Sequence, residues 1–272
     1  MEPDAYKSPG PQPIHRARLT DMSLADIQTV IVPTMRGAIT VVGRLQSFSV
    51  ERPLILVIPG ALQAPSSLFG LIAGTPQADV ALALLPGMFA PMLSETSIEA
   101  FAQAFDEVVQ TRFAGRVVLR LGFSAGGLAA MAMRQGQAFI AVDSPLNTAC
   151  VWPLIAPMRA EMAKGESARL PKWAWAILGI SAEGIENRDY RPLLSNLNIP
   201  GVFVIAGQPL EPPRPLARAP GALTDEDREL VSSTPGLSTI VAANGGHDIL
   251  NSAPRALRLA ITRGLELVAG DS

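Results

Sequence analysis

One serine, one histidine and two competing carboxylates are the residues of this sequence whose types and spacing could do chemistry together. Ser124 stands in Gly122-Phe123-Ser124-Ala125-Gly126-Gly127, directly after the apolar stretch Val117–Leu121 and before the helix-forming stretch from Leu128 to Gln135. A serine nucleophile requires this setting. A sharp turn between strand and helix lifts the hydroxyl clear of the sheet edge, and the positions two before and two after it favour glycine because a larger side chain would crowd the turn. The helix start sets the Ala125 N–H and the positive end of the helix dipole where an oxyanion would form. The bland alternative is a glycine-rich packing turn. A phosphate-cradling loop fits less well, because the run has neither G-x-G-x-x-G nor a closing Gly-Lys-Ser/Thr.

A serine needs a base, and only two histidines exist to supply one. His15 lies just beyond a proline-rich start, ahead of any expected strand, and reads as a solvated residue. His247 follows the apolar stretch Thr239–Ala243 in Asn244-Gly245-Gly246-His247-Asp248, a flexible turn able to carry an imidazole toward strand tips. It stands 123 residues after Ser124, and serine before histidine is the chain order of the α/β-hydrolase arrangement. For the acid that orients the imidazole, Asp143 ends the short apolar stretch Phe139–Val142, and Glu211 lies in the loop after Val202–Ala206. Asp143 is preferred for its place at a strand tip; Asp248 and Asp225 are outsiders. A second oxyanion donor is expected after Leu54–Ile58, in Pro59-Gly60-Ala61-Leu62-Gln63, where Gly60 lets the backbone turn and frees the N–H of Ala61 or Leu62.

Composition narrows the ligand. The 272 residues carry 22 Lys+Arg and 24 Asp+Glu, a net charge of −2, with 48% hydrophobic and 17% charged residues. There is no basic stripe for nucleic acid. Two histidines and one cysteine, Cys150, exclude a structural zinc site and an internal disulfide, and an apolar buried thiol is the expected state of Cys150. No apolar run reaches the length of a membrane span, the best, 80–92, being broken by Pro86, Gly87 and Pro91. Residues 1–13 are polar and proline-rich and read as a disordered tail without a secretory signal. A cytoplasmic location is the expectation, and the sequence carries no signal for an oligomeric state.

The elements that must position these residues are strands at Ile39–Gly43, Leu54–Ile58, Val80–Leu85, Val117–Leu121, Phe139–Val142, Val202–Ala206 and Thr239–Ala243, several of them continuous Val/Ile/Leu runs covered on both faces. Amphipathic helices are expected over Ser97–Phe113, behind a Thr96 or Ser97 cap, and over Pro254–Val268. The pattern is α/β with a mostly parallel sheet. Residues 14–272 form one domain on this reading. Between Ser144 and Asn196, the stretch with Trp152, Trp173, Trp175, Met158 and Met162 reads as a helical insertion, either a lid over a pocket (144–196) or an ordinary pair of core helices. Pro209–Pro220, with five prolines, reads as a stiff surface loop.

From the Pro59-Gly60 loop through Ser124 to His247, the sequence resembles the α/β-hydrolase superfamily, over about Gly37 to Gly270. Within it, Ser97-Ile98-Glu99-Ala100-Phe101-Ala102, Leu121-Gly122-Phe123-Ser124-Ala125-Gly126-Gly127-Leu128-Ala129 and Val142-Asp143-Ser144 are similar to thioesterase domains of polyketide and nonribosomal peptide assembly, and also to carboxylesterases. The resemblance to those thioesterases implies Asp143 as the acid; the loop holding Glu211 is where most other α/β-hydrolases carry theirs. Where the superfamily often has histidine before the oxyanion glycine, this chain has Pro59. The expected function is a serine hydrolase acting on a small apolar acyl ester or thioester, free or carrier-bound, through an acyl-enzyme on Ser124, with no metal and no organic cofactor. The apolar loop Met88-Phe89-Ala90-Pro91-Met92 is expected to favour acyl or aromatic substrates. Acyl transfer on the same residues and a non-catalytic binding protein are the alternatives.

Overall fold

The computed structural model describes residues 26–148, 172–181, 184–210 and 220–270. The expected tail 1–13, His15, Cys150, Trp152, Met158, Met162 and Glu211 lie outside the described residues. Eight strands form one sheet: β1 (Gln28–Thr34), β2 (Gly37–Gly43), β3 (Leu54–Ile58), β4 (Asp79–Ala83), β5 (Val118–Phe123), β6 (Ala138–Val142), β7 (Gly201–Ala206) and β8 (Leu237–Ala242). Their spatial order is β1-β2-β4-β3-β5-β6-β7-β8, with only β2 antiparallel to its neighbours.

Every residue of β3 to β7 is buried, which is why those strands read as unbroken apolar runs rather than alternating ones. Helices cover both faces. On one face lie α2 (Ile98–Arg112) and α3 (Ala125–Ala132), and on the other α1 (Phe69–Gly74) and the closing α7 (Pro254–Gly270). Short helices α4 (Pro192–Ser195) and α6 (Ile249–Ser252) and the helix α5 (Asp225–Ser233) lie between β6 and the closing helix. The expected cap of α2 is Ser97, whose side chain accepts the Ala100 N–H at 3.0 Å.

Four details differ from expectation for physical reasons. Strand β1 was hidden by Pro33, which an edge strand tolerates because its missing N–H costs no ladder bond there. Strand β5 runs two residues further than its apolar core, because Gly122 pairs with Ile58 and Phe123 with Val142. Helix α3 occupies Ala125–Ala132 rather than Leu128–Gln135. It begins immediately behind the serine and ends early, because the Asp106 carboxylate takes the Arg134 N–H at 3.0 Å and the Gln135 N–H at 2.8 Å. Helix α5 was missed although Thr224 caps it, accepting the Asp227 N–H at 3.1 Å.

Of the described part of the expected insertion, a few residues around Trp173 pack into the core, while 184–196 are half-buried or exposed apart from Leu194. Trp173, Ala174, Ile177, Leu178 and Ile180 are buried in the cluster beneath α2 and α3, while Trp175 is exposed, with the Arg188 guanidinium 4.9 Å from its ring.

Asp106 also faces a buried arginine. Arg120 sits in the middle of β5, donates to the Met133 carbonyl, and has its guanidinium lowered to about 10 by burial, with the Asp106 charge opposing the shift. Burial in turn raises the Asp106 carboxyl, against the pull of its two backbone donors. Asp106→Ala strips the loop of its acceptor and leaves Arg120 without its counter-charge. We expect a loss of about 2–4 kcal/mol, measured by chemical denaturation.

Candidate active site

The crevice of an open α/β sheet lies beyond the carboxyl ends of its strands, where the chain reverses its direction of winding. Here that point falls between β3, whose chain next adds β4 on one side, and β5, which starts the opposite half. The loops after β3, β5, β6 and β8 carry Gly60, Ser124, Asp143 and His247 respectively. All four therefore meet at one end of the sheet.

Ser124 holds φ 50° and ψ −121°, a conformation rarely adopted by a residue with a side chain. Its glycine neighbours explain how the turn closes. A Cβ on Gly122 would lie 2.2 Å from the Gly126 carbonyl oxygen, and one on Gly126 only 2.3 Å from that of Ile58. The elbow is thus pressed against both its own helix and β3. The Ser124 N–H donates to Val142 at 2.9 Å, tying the elbow to the tip of β6.

The next residue beyond that tip is Asp143, with φ 45° and no exposed surface. Its Oδ1 accepts the Ala206 N–H at 3.0 Å, and its Oδ2 accepts both the Ala222 N–H at 2.8 Å and a bond from His247 Nδ1 at 2.7 Å. His247 is fixed from behind by its own N–H, which donates to Pro220 at 2.8 Å. Its Nε2 lies 3.1 Å from Ser124 Oγ. An ionised Asp143 accepts only, so Nδ1 carries the proton and Nε2 is left to accept the serine hydroxyl.

Asp248 and Asp225, the outsiders among the candidate acids, make no bond to His247 among the described residues. Asp248 caps α6, accepting the Asn251 N–H at 3.4 Å and its side-chain amide at 2.7 Å, and Asp225 lies in the first turn of α5.

Beside Ser124 opens a groove of about 320 Å³. Its walls are Gly60–Ala64 with Ser67 on one side and Asp248–Asn251 on the other, and Phe123 and Val142 contribute apolar surface. Ala61 and Leu62 line it, whereas Ala125 is buried at the start of α3, directly after the serine. Gly60 lies close against Ser124: a Cβ there would lie 3.3 Å from Ser124 Cβ. The Met88–Met92 loop does not line the groove; Met88 packs on the core and Phe89 faces solvent, so the expected contribution of this loop to substrate choice is withdrawn. Helix α6, which forms one wall, escaped the sequence reading because four residues are too few to show a helical period. Gln63 was overlooked as well, and its only signal is its spacing three residues after Gly60.

This architecture, with a serine on the sharp turn between β5 and α3 and a histidine after the last strand, is the α/β-hydrolase fold. Solved structures with the same fold include carboxylesterase CesB from Bacillus subtilis (TM-score 0.63, 12% identity, 88% of this chain and 91% of that one). A membrane phospholipase A described as a bacterial virulence factor superposes with TM-score 0.67 at 16% identity, over 90% of this chain and 87% of that one. A thermophilic esterase from Thermogutta terrifontis gives 0.60 at 16% identity, over 89% and 99%. Neither a protein-family model nor a curated protein sequence matches the chain. Among the described residues, no helix is long and apolar enough to cross a membrane.

Proposed function

We propose that the protein is a serine hydrolase that cleaves carboxylic esters of small, neutral, apolar acyl groups, and thioesters of the same groups, through an acyl-enzyme on Ser124. The observation that carries this reading is the unbroken hydrogen-bonded line from Ser124 Oγ through His247 to Asp143, opening on the groove. His247 takes the hydroxyl proton as Oγ attacks the carbonyl carbon, and Asp143 stabilises the imidazolium that forms. The N–H groups of Ala125 and of Ala61 or Leu62 receive the oxyanion. The imidazolium then protonates the leaving alcohol or thiol, and water, deprotonated by the same histidine, discharges the acyl group. The esterase and phospholipase names of the structural neighbours agree with ester cleavage.

A fluorophosphonate probe is expected to label the folded protein at Ser124, with the mass increment on the peptide that contains it. A folded protein that stays unlabelled sinks the hydrolase reading and returns the chain to the non-catalytic alternative. Comparing short aryl esters with acyl-pantetheine thioesters then sorts the two substrate classes, and adding an alcohol or amine acceptor tests acyl transfer.

A further inference from the structure

Among the described residues, one side chain bonds to the backbone of the loop that would supply the oxyanion donor. Gly60 to Gln63 form a turn in which the Gln63 N–H donates to the Gly60 carbonyl at 3.3 Å. The third residue of that turn, Leu62, takes φ 58°, the left-handed value that type II turns require there and normally obtain from glycine. A leucine in that conformation is disfavoured, and it stands 40% exposed on the groove rather than locked in a core. Something else must hold the turn. The Gln63 side chain supplies it: its Oε1 accepts the Gly60 N–H at 2.8 Å. One residue therefore ties both polar backbone groups of Gly60, through its own main chain and its carboxamide.

Two consequences follow for the donors. The Gly60 amide is consumed, and neither the Ala61 nor the Leu62 N–H donates to another group among the described residues. These are the two amides that this loop leaves to a substrate. Because Gly60 also rests against Ser124 and the Phe123 carbonyl, with a Cβ there falling 3.3 and 3.2 Å from them, the clasp sets the separation of the free amides from the nucleophile.

We infer that Gln63 is a positioning residue for the oxyanion loop, holding the Ala61–Leu62 turn in its strained form before substrate arrives. The inference rests on the hydrolase reading for its effect on rate, but the clasp itself has a readout that does not depend on turnover. Preorganised donors act on the transition state and not on the ground state, so the loss should appear in kcat and spare KM.

Gln63→Met, which keeps length but has no carboxamide acceptor, and Gln63→Ala are compared with wild type on p-nitrophenyl butyrate. The expected result is a fall in kcat of roughly 10- to 100-fold with KM within about 3-fold. Affinity for phenylboronic acid, whose boron is attacked by the serine oxygen to give a tetrahedral anion, should fall by the same factor as kcat. Amide exchange at Gly60, followed by NMR, should be slow in wild type and fast in both variants. An unchanged kcat, a loss carried by KM alone, or a boronate affinity that does not follow kcat overturns the inference. If wild type neither turns over ester nor takes the fluorophosphonate, the hydrolase reading fails instead, and Gly60 exchange alone decides the clasp: protection that survives Gln63→Met overturns it.

Discussion

Ser124→Ala is expected to lower turnover of p-nitrophenyl butyrate by about a million-fold while the protein melts within a few degrees of wild type. The size follows from the way a nucleophile and its base act as one unit. With Oγ gone, His247 has nothing to deprotonate at the carbonyl, and what remains is the contribution of the amide donors and of binding. The stability expectation follows from the contacts. Among the described residues the Ser124 hydroxyl bonds only to His247 Nε2, its side chain does not cap α3, and the site opens to solvent at the groove. Removing it costs at most about 1 kcal/mol. Its backbone turn is held by Gly122, Gly126 and the bond to Val142, none of which involves the side chain. Steady-state assays against a thermal melt separate the two effects. A variant retaining more than about a thousandth of the wild-type rate would show that the nucleophile lies elsewhere.

Asp143→Asn is expected to cost about ten-thousand-fold in kcat, and unlike the serine substitution it should also cost stability. An asparagine at this position has one acceptor where the carboxylate has two. The carboxylate receives three donors, the Ala206 and Ala222 amides and His247 Nδ1, in a site with no exposed surface. Whichever way the amide is turned, its NH2 faces a buried N–H. If the NH2 meets Nδ1, the imidazole takes the opposite tautomer and Nε2 can no longer accept the serine proton. If it meets the Ala206 N–H, the orienting charge is still lost. The unmatched donors cost about 1–3 kcal/mol, so activity must be measured well below the lowered melting temperature. Glu211→Gln serves as the comparison and should leave kcat within about 3-fold. A larger loss for Glu211→Gln than for Asp143→Asn would reverse the assignment of the acid.

Much of this was legible in one dimension because the signals are local. The G-x-S-x-G run marks its own turn, since Gly122 and Gly126 are demanded by contacts of 2.2 and 2.3 Å that no side chain could survive. The strands β3, β6 and β7 announce themselves by unbroken burial. With only two histidines in the chain, scarcity singles out His247, whose Nε2 lies 3.1 Å from Ser124 Oγ. Other features left no local trace. Asp143 has the backbone of a turn and the burial of a core residue, and nothing in Val142-Asp143-Ser144 tells that its partners are amides 63 and 79 residues away. Arg120 interrupts an apolar strand, and only the packing of α2 and α3 supplies Asp106 and the Met133 carbonyl to receive it.

By itself, then, the sequence determined the alternation of elements, the glycine-lined turn that carries Ser124 and the choice of His247 as the histidine that faces it, because each depends on residue types within about one turn or one strand of chain. The bond of His247 to Asp143, the walls of the groove and the grip of Gln63 on Gly60 were decided only by the tertiary structure. Hydrogen bonding selects a partner by separation and angle in space. The sheet order, which sets β5 beside β6 and closes β8 against β7, brings Ser124, Asp143 and His247 to hydrogen-bonding distance across more than a hundred residues of sequence.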